Sequence, residues 1–119
     1  MTLKHRVLVC GGRDFNDAEK LKAVMEWIRP YLAKDFCLIH GSARGADMTA
    51  HLWAFFEGCP VIEMKANWDK YGKAAGHIRN KWMLDYAMPD LVVAFPGGRG
   101  TADMVRQAKA AGIDTQEIS

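Results

Sequence analysis

The sequence predicts an α/β domain: a Rossmann-like three-layer sandwich around a mostly parallel sheet of about five strands, in the order 3-2-1-4-5. Three observations lead there. Short apolar runs alternate with stretches of helical spacing along the whole chain. Two of those runs give way to glycine pairs, Gly11-Gly12 and Gly97-Gly98. Units of this length join parallel neighbours through right-handed crossovers. With 119 residues, half of them apolar, the chain can bury one core but not two, so residues 1–119 are read as a single domain.

The first run, His5 to Cys10, holds Val7, Leu8 and Val9 in succession, as in a strand buried on both faces. Asn16 stands three residues ahead of Glu19, a spacing that lets the two side chains cap a helix reciprocally. Leu21, Val24, Met25, Ile28 and Leu32 follow with helical spacing, and Pro30 kinks or ends that helix early. Phe36 to His40 reads as the second strand, Gly41 to Gly45 as a loop, and Met48 to Glu57 as a helix closed by Gly58. Val61 to Met64 is the third strand. The polar and aromatic stretch Asn67 to Lys73 is longer than a packing loop requires, and helical spacing resumes near Gly76. Leu91 to Phe95 is the fourth strand, Pro96 to Thr101 its glycine-rich exit, and Ala102 to Ala111 a helix ended by Gly112. Ile113 to Ile118 supplies a fifth strand.

In a sheet of this order a crevice opens at the carboxyl ends of strands one and four, where the winding reverses. Pro96-Gly97-Gly98-Arg99-Gly100-Thr101 lies at one of those ends, where glycines let backbone N–H groups approach an anion and the following helix start adds positive potential. The Thr101 hydroxyl can donate to a phosphate oxygen or cap the helix. Gly11 and Gly12 are expected to face this loop, and neither segment is a Walker A or a G-x-G-x-x-G motif. Arg13, Asp14, Gly41, Ser42, Arg44, Asp47, Arg79 and Asn80 also stand near strand exits or helix starts. The arginines can fork onto phosphate, while Asp14 and Asp47 either accept from ribose hydroxyls or hold the arginines in place. The ligand expected is a nucleotide-like small molecule.

Charge and composition narrow the classes. A formal net charge of +2 is too mild to announce a nucleic-acid partner, so any basic role must be local. No uncharged apolar run approaches the ~18 residues of a membrane span, so no membrane partner and a cytoplasmic location are expected. Cys10, Cys37 and Cys59 lack C-x-x-C spacing and read as reduced, buried thiols. His5, His40, His51 and His77 show no ligand spacing, so neither metal nor cofactor is expected. His40 and His77 read first as hydrogen-bonded structural residues, and His51 faces no predicted loop. Trp53, Phe55 and Phe56 give the second helix an apolar belt wider than one face needs, which raises the expectation of a homodimer. Trp68 and Tyr71 either stack on a base or cover the core.

Four blocks, Gly11-Gly12-Arg13-Asp14-Phe15, His40 to Asp47, Ala75-Gly76-His77-Ile78-Arg79-Asn80 and Pro96 to Thr101, agree in order and spacing with the YspA/YpsA-like branch of the SLOG superfamily, which the chain resembles over nearly its whole length. That superfamily includes the phosphoribohydrolases once labelled lysine decarboxylases and the DNA-processing protein DprA. The resemblance implies a Rossmann-like domain that binds nucleotides or signals derived from them. In the hydrolase branch a P-G-G-x-G-T-x-x-E motif holds the ribose phosphate and supplies a carboxylate, and an arginine followed by lysine completes the site. Arg79 looks like that arginine, but Asn80 follows it, and Asp103 is offered where a glutamate belongs. If catalysis occurs, Arg79 and Asp103 are the catalytic residues the resemblance implies, with Asp103 stabilising the charge that develops on the sugar and activating water. Three readings stand in order: a nucleotide-binding module, an N-glycosidic hydrolase of nucleoside monophosphates, and a single-stranded DNA binder like DprA.

Overall fold

The computed structural model describes residues 2–119 and forms one five-stranded sheet in the order β3-β2-β1-β4-β5. The strands are β1 (Lys4–Cys10), β2 (Leu32–His40), β3 (Val61–Glu63), β4 (Leu91–Ala94) and β5 (Asp114–Glu117), and every neighbouring pair is parallel. The helices are α1 (Ala18–Ile28), α2 (Ala46–Glu57), α3 (Trp68–Tyr71), α4 (Ala75–Trp82) and α5 (Arg99–Ala110).

Strand alternation sorts the core. Val7 and Val9 of β1, with Leu38 and Val93, pack against Leu21, Met25 and Ile28 of α1 and Ala46, Ala50 and Ala54 of α2. Leu8 and Cys10, with Ile39 and Val92, face the other way, onto Met83, Leu84 and Ala87 and onto Met104 and Ala108 of α5. Burying Leu21 or Leu38 completely stabilises the fold by roughly 1.5–3 kcal/mol each. The alanines spaced by four on α2 let that helix sit close to the sheet: a Cβ on Gly11 would lie 2.6 Å from the Cβ of Ala46.

The structure moves several expected boundaries. Asp17, not Asn16, caps α1, its side chain accepting from the Lys20 N–H at 3.0 Å. Pro30 ends that helix in a 3₁₀ turn, Arg29–Tyr31, and the chain enters β2 four residues before Phe36. Leu32 therefore pairs with Lys4 in the sheet and does not continue the helical face. The stretch after β3 is not an irregular loop: Asn67 caps the short α3, a 3₁₀ turn covers Gly72–Ala74, and α4 follows directly. Helix α5 begins at Arg99, with Gly98 at its N-cap, so Arg99, Gly100 and Thr101 form its first turn. Thr101 thus does not cap the helix.

Only Cys10 of the three free cysteines is buried; Cys37 and Cys59 are half-buried, the first because it pairs in the sheet with exposed Arg6 and the second because it lies in the connection between α2 and β3. Trp53 packs against the core, its ring 6.2 Å from that of Phe36, while Phe55 and Phe56 stay 71% and 81% exposed. No helix among the described residues is long and apolar enough to cross a membrane.

Candidate functional site

The strand exits are wired to one another before any ligand is considered. Gly12 N–H donates to Pro96 O at 2.8 Å, tying the exit of β1 to that of β4. Gly12 O accepts from Ala46 N–H at 3.1 Å, tying the same residue to the start of α2. Phe15 locks the loop down by packing on Phe95, with ring centroids 4.9 Å apart. The two glycine segments therefore lie side by side, as expected, but for a different reason in part. A Cβ on Gly12 would sit 3.0 Å from Gly97 Cα and 3.0 Å from Pro96 O, so Gly12 serves the approach of two backbones and its amide is already used.

The loop after β2 is likewise satisfied internally. Buried Asp47 accepts from Gly41 N–H and Ala43 N–H at 3.1 and 3.2 Å, and His40 Nδ1 accepts from Ser42 N–H at 2.9 Å. Burial pushes the Asp47 carboxyl up to about 6, against the opposing pull of those two amides and of Arg79. Ser42 holds a left-handed φ of 59°, and its hydroxyl is buried with no hydrogen-bond partner among the described residues.

These loops and the start of α5 enclose a cavity of about 1090 Å³, at the carboxyl edge of the sheet. It is lined by Gly11, Gly12, Arg13, Gly41, Ser42, Arg44, Asp47, Arg79, Asn80, Gly98, Arg99, Gly100, Thr101 and Asp103 from the sequence reading. Pro96 and Gly97 form its outer support without lining it. Asp14 falls in a neighbouring shallow groove beside Phe15 and Asn16, because the turn closed by Phe15 N–H on Gly12 O carries it away.

Lys65, Lys73 and Arg106, which the motif blocks did not flag, join Arg13, Arg44, Arg79 and Arg99 around the cavity, making seven cations against the carboxylates Asp47 and Asp103. Of the seven, only Arg106 reaches a carboxylate within ion-pair distance among the described residues: Asp103, at 3.0 Å. Arg79 is anchored by Gly41 O at 2.7 Å and Asn80 Oδ1 at 3.1 Å, and it lies over Gly41, where any Cβ would strike its guanidinium. Lys65 follows β3 as other polar residues follow their strands, so strand-exit position was the signal that could have found it.

Asp103 and Asn80 are committed to the protein. Asp103 accepts from Asn80 Nδ2, Gln107 Nε2 and Arg106 at 2.8–3.0 Å and pairs with His77 Nδ1 at 2.7 Å. Burial alone would raise its carboxyl, but the bonds from His77, Asn80 and Gln107 outweigh it and hold the group below the usual carboxylate value. Asn80 gives its other N–H to Gly100 O at 3.2 Å and accepts from Arg79 Nε at 3.1 Å. In strict register, the glutamate of the hydrolase-type motif corresponds to Met104, which is buried in the core. Cys10 at the cavity floor offers no nucleophile either, since burial and the nearby Asp47 push its thiol up to about 12.

His51 meets strand ends: its Nδ1 lies 2.9 Å from His40 Nε2, with Glu63 Oε1 3.2 Å from His51 and 3.5 Å from His40. The three atoms are close enough for an ion. The protons do not fit one: His40 Nδ1 accepts the Ser42 N–H, so neutral His40 carries its hydrogen on Nε2, the atom a metal would need. Burial holds His40 down to about 4, so it remains neutral near pH 7.

A family model described as YspA, cpYpsA-related SLOG family matches residues 5–71. The "Gene 61 protein" of Mycobacterium phage D29 is 37% identical to this chain, over an alignment covering 91% of each.

Proposed function

Because the chain belongs to the YspA, cpYpsA-related SLOG family, we propose that its cavity binds a nucleotide-like ligand through the phosphate that ligand carries. The observation that carries this reading is the charge balance: six cationic side chains around one cavity have no carboxylate within ion-pair reach among the described residues. Like charges gathered without partners repel one another, and a bound anion removes that cost. The first turn of α5 supplies the complementary backbone donors. The N–H groups of Arg99, Gly100 and Thr101 have no intrahelical acceptor, and Gly98 and Gly100 present open space where a Cβ would stand.

Binding without turnover is favoured over N-glycosidic hydrolysis, because Asp103 has no lone pair to spare for water and Met104 occupies the motif's glutamate position. Thermal denaturation with AMP, ADP-ribose, NAD and ribose 5-phosphate tests the proposal. A ligand at a hundred times its Kd stabilises the native state by about 2.7 kcal/mol, which raises the midpoint by several degrees. Absence of any shift with all four compounds at millimolar concentration contradicts it.

A further inference from the structure

We infer that Trp68 is the surface on which the ligand's base stacks, so that the cavity selects a nucleoside phosphate over a phosphorylated sugar. The inference rests on the phosphate-binding reading above and adds to it the second half of the ligand.

Trp68 opens α3 and lines the cavity while remaining 49% exposed. It belongs to neither core cluster, so covering the core does not account for it. Tyr71, three residues on, takes the other role: its ring packs edge-on against Trp82 at 5.8 Å and does not line the cavity. The indole is held in place. Asn67 caps the turn that carries it, and its edge rests on Gly76, where a Cβ would stand 3.4 Å from Cη2.

The Arg13 guanidinium lies over the indole, 5.8 Å from the ring centroid, and has no carboxylate within ion-pair distance among the described residues. Ring and cation both line the cavity within cation–π range of each other, so a base that stacks on the indole lies beside a positive charge. An aromatic surface beside unpaired cations matches the two chemistries of a nucleotide, a π-faced base and an anionic phosphate. A sugar phosphate offers only the second.

Calorimetric titration of AMP and of ribose 5-phosphate into the wild type, Trp68→Ala and Trp68→Phe separates the claims. The wild type is expected to bind AMP at least about fivefold more tightly than ribose 5-phosphate, the low end of what stacking contributes. Trp68→Ala should bring AMP down to the ribose 5-phosphate level while leaving ribose 5-phosphate within twofold, and Trp68→Phe, which keeps a ring, should retain part of the preference. Equal affinities in the wild type, or a preference that survives Trp68→Ala, overturn the stacking role and leave phosphate binding standing. Binding of neither compound overturns both.

Discussion

Asp47 and Asp103 look interchangeable in the sequence, as acidic residues near a helix start, yet the fold treats them oppositely. Asp103 is surrounded by donors and held below the ordinary carboxylate value; Asp47 has two backbone amides but is buried deeply enough to be pushed up to about 6. A group whose native-state value is raised weakens the fold as pH climbs, because the unfolded chain gives up its proton first. The stability of the wild type relative to Asp47→Asn should therefore fall, on the order of 2 kcal/mol, as pH rises from about 4 to about 6, and stay level above that. Denaturant unfolding across this range measures it. Taking the difference between the two proteins is essential, because His40, held down to about 4, contributes with the opposite slope over much of the same window. A difference that is constant or rises with pH contradicts the assignment. None of this was readable from residue identity, since both shifts depend on burial and on partners such as Arg79 for Asp47 and His77 and Asn80 for Asp103, which only the fold brings near.

At the scale of the element, the glycines of the β4 exit divide into two kinds. Gly97 serves packing: a Cβ there would overlap the Thr101 hydroxyl and lie 2.6 Å from Gly12 N. Gly100 sits in the first turn of α5 with nothing near the place a Cβ would take. Gly97→Ala is accordingly expected to cost about 1–3 kcal/mol of stability. Gly100→Ala should be neutral or stabilising by about 0.5 kcal/mol, while weakening binding of ribose 5-phosphate several-fold by crowding the open amides. Chemical denaturation and calorimetry of the two variants check this, and a Gly100→Ala protein with unchanged affinity would remove the helix start from the site. The sequence showed three glycines and a turn here. It could not show which were spent on backbone approach, because the neighbours that decide it, Gly12 and Thr101, meet Gly97 only in the folded chain. The same limit shifted the cap of α1 from Asn16 to Asp17 and hid the short α3, where capping by Asn67 prevails over the loop-like composition.

For the whole molecule, apolar runs broken by glycine and helical spacing between them were enough to specify the sheet order β3-β2-β1-β4-β5, since right-handed crossovers leave few alternatives. The position of the crevice followed from that order. Its electrostatics did not follow from the net charge: a chain of only +2 places seven cations around one cavity and keeps most of its carboxylates elsewhere. Arg13, Arg44, Arg79 and Arg99 were visible at strand exits and helix starts, and Lys65 stands at such an exit too, whereas Lys73 and Arg106 enter through elements whose orientation only the packed structure fixes. The central claim, that these unpaired cations and the open end of α5 receive a phosphate, is tested most directly by titrating AMP and adenosine side by side at rising salt. AMP should bind more tightly than adenosine and lose affinity steadily as salt screens the cavity, while adenosine stays nearly insensitive. Equal binding of the two compounds, or an AMP affinity indifferent to salt, would contradict it.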